Sequence, residues 1–287
     1  PQVPVAERLG HRLGDLGLGE RDEGTVLLDV RLVLLLLRHG HRAAFLGLGA
    51  YTAGLMAKHI HPDPLIGLAA AAVVSGVAGL IASLLVMRGN DLTRIMVTLG
   101  VGMVFYELAN KLQWLTGGAD GLQGITMGPL LGLFRFDLSG RTAYIYSLTV
   151  LFLLFLLARR IVGSPFGASL TAIRDNPLRA TAIGVPLKPR LVAIYGIAAT
   201  YAGIAGALLA QTTQFVSLDV LDIHRSADVL LVLVIGGTGY LYGGIAGALL
   251  FTLAKDLISA WTPQYWHFWI GLILVVFVLI GRERIVG

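Results

Sequence analysis

Long apolar runs separated by short charged clusters dominate this chain. That is the pattern of a multi-pass membrane protein, in which each run is long enough to cross the bilayer. Taking about 20 apolar residues as one crossing, at about 1.5 Å of rise per residue, the pattern predicts spanning helices over Pro64 to Met87, Leu92 to Ala109, Thr142 to Ala158, Leu191 to Ala210 and Trp266 to Gly281. Ala43 to Ala57 is short, at fifteen residues, and needs its flanks or a locally thinner bilayer to span. The run from Val229 to Ala254 is interrupted between Gly236 and Gly244 by five glycines in nine residues, too many for an uninterrupted helix. A broken helix or a re-entrant pair is expected there. The predicted fold class is all-α: a polytopic transmembrane helical bundle with a Gly-rich broken or re-entrant segment.

Between two of the apolar runs lies a charged segment, Arg159 to Arg190, with six cations. Ser164-Pro165 and Asn176-Pro177 each set a helix N-cap residue before a proline at the first helical position, and Gly184 supplies a helix stop. Two short helices with an elbow at Arg174-Asp175-Asn176 are therefore predicted. Phe166, Leu170 and Ile173 fall at i, i+4 and i+7, an apolar stripe beside a cationic face. Such a segment reads either as a docking loop for a soluble partner or as an amphipathic loop resting on anionic lipid.

Charge sets the orientation, because cytoplasmic loops collect Lys and Arg. With the Arg159 to Arg190 loop inside, a single crossing at Val229 to Ala254 would strand Arg282 and Arg284 outside, whereas a re-entrant pair returns them. The second option puts twelve of the 22 cations inside and six outside, with four left in the N-terminal stretch. The re-entrant reading is preferred on that count.

Composition agrees with a membrane class: 56% hydrophobic, only 14% charged, and a mean hydropathy of +0.78, against roughly 25% charged in soluble domains. A net charge of +5 is compatible with a nucleic-acid partner, but the cations sit in short clusters between apolar runs instead of along one exposed face. No nucleic-acid partner is expected. The absence of cysteine excludes disulfides, thiolate metal sites and lipidated cysteine anchors.

Residues 1–42 depart from this pattern. The first 24 residues are polar and the apolar stretch Leu27 to Leu37 is eleven residues long, too short to span as a helix. Its acidic, Gly-rich start is unlike a signal peptide. This segment is expected to be disordered or damaged, with the transmembrane domain running from 43 to 287.

The predicted spans hold almost no ionisable residues, whereas carriers coupled to protons or sodium usually keep some at membrane depth. Energy for moving a solute would then come from outside the membrane. The chain has no Gly-x-x-x-x-Gly-Lys-Ser/Thr sequence, so a P-loop ATPase would have to be a partner. Neither His-Glu-x-x-His nor Gly-x-Ser-x-Gly occurs, which leaves no motif-level case for a hydrolase and no catalytic residues. His59-Ile60-His61 with Asp63 is weighed as a metal site against a solvated interface anchor, and the anchor is preferred.

Gly67, Ala71, Ser75 and Gly79 recur every four residues, and Gly196, Ala199, Gly203 and Gly206 stud another span; such spacings let helix backbones approach closely. Tyr201 to Leu209 (YAGIAGALL) and Tyr242 to Leu250 (YGGIAGALL) differ at one position in nine, as duplicated units or coincident composition would. Because broken helices are tolerated at membrane depth only beside protein or a wet cavity, the Gly236 to Gly244 break is the candidate wall of a solute pathway. Gly117-Gly118-Ala119-Asp120-Gly121 is either its mouth or a plain turn.

Taken in order, AAFLGLGAYTAGL (43–55), VTLGVGMVF (97–105), TGGADGLQGI (116–125), SPFGASLTAIRDNPLRATAIGV (164–185) and VLVIGGTGYLYGGIAGALL (232–250) resemble the permease subunits of branched-chain amino-acid ABC importers, particularly the LivM type. The resemblance implies that Phe166, Gly167, Ala172, Ile173, Arg174, Asp175, Asn176, Arg179, Ala180 and Gly184 form the segment that docks on an ATPase. It implies that Gly236, Gly237, Gly239 and Gly247 belong to the glycine-rich membrane motif of the translocation pathway. It further implies a LivH-like second permease, two ABC ATPase subunits that bind ATP and Mg, a periplasmic solute-binding protein, contact with membrane lipid, and residence in the bacterial inner membrane. This chain itself is expected to hold no cofactor or metal. On this reading ATP-driven closure of the ATPases moves the docked helices, with Phe166 and Ile173 as anchors in the partner's groove, and the permease pair alternates its access. An ATP-independent facilitator, a urea permease and a membrane scaffold are the other readings.

Overall fold

The computed structural model describes residues 42–87, 91–130, 140–237, 242–261, 268–269 and 271–272. In chain order their helices are α1 (Arg42–His59), α2 (Pro64–Val86), α3 (Asp91–Lys111), α4 (Gln113–Thr116), α5 (Arg141–Val162), α6 (Pro165–Asp175), α7 (Pro177–Ala182), α8 (Leu187–Thr213), α9 (Ile223–Gly236) and α10 (Gly243–Trp261). Among the described residues α2, α5, α8 and Gly243–Ala260 of α10 are long and apolar enough to cross a membrane. The all-α membrane architecture read from the sequence is therefore present.

The short span expected at Ala43 to Ala57 acquires length from its polar flanks. Arg42, Lys58 and His59 extend α1 to 18 residues, about 27 Å of helix and close to the hydrocarbon thickness. Beyond it, Asp63 caps α2: its Oδ1 accepts the Leu65 N–H at 3.0 Å, and Pro64 takes the first helical position. His61 Nδ1 accepts the Asp63 N–H at 3.4 Å, so Asp63 and His61 are used in a turn. The expectations for residues 1–41, and for nearly all of Trp266 to Gly281, lie outside the described residues.

Helices α1, α2 and α8 form the core, and small residues make it possible. A Cβ built on Gly203 of α8 would collide with the Ser75 side chain of α2, one on Gly49 of α1 would collide with the Gly203 backbone, and one on Gly206 would collide with the Leu46 carbonyl oxygen. Backbones that approach this closely gain dispersion contacts along their whole length, the main attraction available between helices in lipid. Polar groups reinforce the same seam. Ser75 Oγ donates to the Phe45 carbonyl at 3.4 Å, and buried Gln211 donates through Nε2 to the Pro64 carbonyl at 2.7 Å. Phe45 then meets Phe105 of α3 and Tyr195 of α8 edge to face, with ring centres 6.1 and 6.0 Å apart.

The glycine-rich loop at residues 117–121 is a built turn. Gly117, Gly118 and Gly121 adopt φ of 78°, 56° and 74°, values that side-chain-bearing residues rarely take. The turn delivers Leu122 to a two-way backbone pairing with Val216: the Leu122 N–H donates at 2.7 Å and the Val216 N–H returns at 3.3 Å. Both side chains are buried beneath α1, so the pairing ties the α3–α5 connection to the chain leaving α8.

Candidate functional site

The charged segment folds as its caps direct. Ser164 Oγ accepts the Gly167 N–H and donates to the Ile161 carbonyl at 2.7 Å, which starts α6 immediately after α5 stops. Asn176 closes α6 with its own N–H on the Ala172 carbonyl at 3.0 Å and opens α7 by accepting the Arg179 N–H at 3.0 Å on Oδ1. Its extended backbone, φ −156° and ψ 102°, makes the elbow. At the end of α7, Gly184 at φ 87° closes a Schellman motif, with its N–H on the Thr181 carbonyl and the Val185 N–H on the Ala180 carbonyl.

The elbow sorts the ten predicted docking residues into two faces. Ile173 and Ala180 are buried, at 7% and 1% exposure, and Gly167 is buried where a Cβ would strike the Ile161 and Val162 carbonyl oxygens. Ala172 and Phe166 are half-buried. The Phe166 ring lies under Arg190, whose guanidinium carbon is 5.2 Å from the ring centre, a cation–π contact that fixes α6 against the start of α8. Arg174, Asp175, Asn176, Arg179 and Gly184 are exposed. Arg174 and Asp175 form an ion pair at 3.1 Å, each side chain more than half exposed. The apolar stripe therefore faces this chain's own helix ends, and Ile173 is part of the fold.

What α7 presents outward is Leu178 at 82% exposure and Ile183 at 75%, beside Arg179. Two exposed large aliphatic side chains next to a guanidinium form an apolar patch rimmed by charge, a surface that a partner or lipid can cover. Sequence reasoning missed them because a six-residue helix is too short to carry a readable period. The signal that was available is the cap pattern, which fixes where α7 starts and stops and hence which way Leu178 points.

The glycine break separates two helices. Helix α9 ends at Gly236, Gly237 takes φ 82°, and α10 begins at Gly243. Residues 238–241, including the predicted Gly239, lie outside the described residues. The two helices then run back along each other: a Cβ on Gly236 would strike the Gly243 carbonyl, and one on Gly247 would strike the Val232 carbonyl. Gly236 and Gly247 are thus brought together at an antiparallel helix contact. Helix α9 has 14 residues, about 21 Å, short of the roughly 30 Å needed to cross.

A family described as branched-chain amino acid transport system / permease component matches residues 40–279. The chain is 27% identical over 268 residues to the high-affinity branched-chain amino acid transport system permease protein LivM of Salmonella typhimurium, and 26% identical over 269 residues to the LivM protein of Escherichia coli. Each alignment covers 86% of this chain and 62% of the relative's length, so the chain spans less than two thirds of these relatives. No solved structure matches.

Proposed function

We propose, because this chain belongs to the branched-chain amino acid transport permease family, that it serves as one of two membrane subunits of an ABC importer of the bacterial inner membrane. Its partners are a second, LivH-like permease, two ABC ATPase subunits that bind ATP and Mg, and a periplasmic solute-binding protein. The solute class is branched-chain or related amino acids. The observation that carries this reading is the capped α6–α7 pair. It hangs between the apolar helices α5 and α8 and turns Leu178, Ile183 and Arg179 away from the chain.

Its physics suits transmission of movement. Caps at Ser164, Asn176 and Gly184 leave few backbone groups without partners, so the pair moves as a unit when pulled. Leu178 and Ile183 fill a groove on the ATPase, and Arg174, Asp175 and Arg179 set the register of the contact. The α9–α10 hairpin supplies the wall that changes exposure as the subunits rock.

The test is co-purification from native membranes in mild detergent, comparing the wild-type chain with an Arg174→Glu, Arg179→Glu variant by mass spectrometry. An ATP-binding subunit should accompany the wild type and be lost from the variant. An inserted wild-type chain that brings no ATPase would overturn the docking reading and favour an ATP-independent facilitator whose loop rests on lipid.

A further inference from the structure

Helix α5 ends in two arginines that the fold does not use. Arg159 and Arg160 are exposed, and neither side chain has a hydrogen-bond or ion-pair partner among the described residues. Other cations of the same charged segment are engaged: Arg174 pairs with Asp175, and Arg190 lies over the Phe166 ring. Nor are the two needed to close the helix. The Gly163 N–H donates to the Arg159 carbonyl at 3.0 Å, and Ser164 donates its N–H at 3.2 Å and its hydroxyl at 2.7 Å to the Ile161 carbonyl, so these last-turn acceptors already have donors. The approach to the arginines is apolar. Phe152, Leu156 and Arg159 fall at i, i+4 and i+7 with Leu153 and Arg160 beside them, so all five share one side of α5. Phe152, Leu153 and Leu156 are exposed, while Tyr146 and Val150 make the inward contact with Ile204. About 10 Å of bare apolar helix therefore leads to two adjacent guanidinium groups.

We infer that this end of α5 binds an anionic glycerophospholipid of the leaflet on the α6–α7 side, with its phosphate on Arg159 and Arg160 and its acyl chains along Phe152, Leu153 and Leu156. A guanidinium fork takes phosphate oxygens two at a time. Headgroup charge then decides between lipids, because a zwitterionic headgroup carries the same phosphate but brings an ammonium that two adjacent cations repel. A free phosphate would use the arginines and leave the apolar run idle, whereas a lipid engages both. Position gives the site a consequence, since Gly163 alone separates the end of α5 from the Ser164 cap of α6. The bound headgroup sits where the charged segment begins. The site does not depend on the importer reading, because both of its parts belong to α5.

The experiment uses the full chain in nanodiscs of phosphatidylcholine. The chain has no cysteine, so Val162→Cys, at an exposed position three residues beyond Arg159, carries a single bimane label. Its fluorescence is quenched by titrating in nitroxide-bearing phosphatidylglycerol or nitroxide-bearing phosphatidylcholine with the same acyl chains. Phosphatidylglycerol should quench at about ten-fold lower mole fraction, since each arginine at the membrane surface favours an anionic lipid several-fold. Adding Arg159→Gln and Arg160→Gln should bring the two lipids together, whereas Arg141→Gln, at the far end of the same helix, should keep the preference. Equal quenching by the two lipids without these changes, or a preference that survives the loss of both arginines, overturns the site. A preference that Arg141→Gln also abolishes would report general surface charge and overturns it too. Displacement of phosphatidylglycerol by millimolar glycerol 3-phosphate would show a free-phosphate site and overturn the lipid assignment. Should the double arginine variant fail to insert, the same titration on Arg159→Gln and Arg160→Gln singly decides, each lowering the preference several-fold if the site is real.

Discussion

Tyr201 and Tyr242 open the two nine-residue near-repeats, and both reach the same place on α5. The Tyr201 hydroxyl donates to the Leu154 carbonyl at 3.1 Å, and the Tyr242 ring lies 5.1 Å from the ring of Phe155, the next residue. Helix α5 otherwise has little cover, with 6% of its apolar stretch buried. Yet α6 follows from its C-terminal end. Two tyrosines, one on α8 and one at the head of α10, therefore join the packing of Tyr146 and Val150 on Ile204 and the Phe166–Arg190 contact as points through which movement of α6 and α7 would reach the core and the hairpin.

If that linkage transmits force, weakening it should reduce coupling more than stability. Tyr242→Ala removes a ring contact of about 1 kcal/mol, and Tyr201→Phe removes a hydrogen bond of similar size. We expect the double variant to assemble with its ATPase, to hydrolyse ATP, and to import several-fold less solute per ATP. Uptake assays in proteoliposomes measure that ratio, and a wild-type ratio would show that α5 transmits nothing through these residues.

The inward and outward faces of the α6–α7 pair should respond differently to substitution. Ile173→Ala removes a side chain that is 7% exposed and should lower the stability of the purified chain by about 2 to 4 kcal/mol. Leu178→Glu, at 82% exposure, should leave thermal stability in detergent unchanged within about 0.5 kcal/mol and abolish recovery of the ATPase. Matched melting and pull-down measurements on the two variants separate the roles. Loss of ATPase from Ile173→Ala at full stability would return Ile173 to the contact.

Much of this arrangement was legible in the sequence because it is local. Ser164-Pro165, Asn176-Pro177 and Gly184 specify helix starts and a stop through groups within a few residues of each other, and the structure places all three as caps. The break at Gly236 was legible for the same reason. Facing was not. A stripe at Phe166, Leu170 and Ile173 says that two sides of a helix differ, but whether the apolar side meets this chain or another depends on Arg190 and the ends of α5 and α8, which are distant in sequence.

The elbow can be tested through its single cap. Asn176 serves both helices, so Asn176→Ala removes the acceptor for the Arg179 N–H and should cost about 1 kcal/mol of local stability. At Gly184, φ 87° disfavours any Cβ, and Gly184→Val should cost about 1 to 2 kcal/mol while unwinding the end of α7. Hydrogen exchange at Ala180, Thr181 and Val185 reports the fraying, and faster exchange there with an unchanged core is the expected outcome.

The near-repeats also supply a matched pair of glycines in opposite environments. Gly203 and Gly244 stand at the third position of YAGIAGALL and YGGIAGALL, and both lie in helices. At Gly203 a Cβ would enter the Ser75 side chain, and the Ala71 carbonyl oxygen lies 2.9 Å from where it would sit. At Gly244 it would meet nothing within 4 Å. Alanine is a better helix former than glycine by about 1 kcal/mol, so Gly244→Ala should leave the chain as stable as before or more so. Gly203→Ala gains the same propensity but must separate α2 from α8, and overpacking of that kind costs about 1 to 3 kcal/mol; enlarging the residue to leucine should raise the cost further. Thermal unfolding of the two alanine variants in one detergent therefore gives shifts of opposite sign. Equal shifts would mean that sequence similarity outweighs the packing partner, and that α1, α2 and α8 do not meet as closely as the glycines allow.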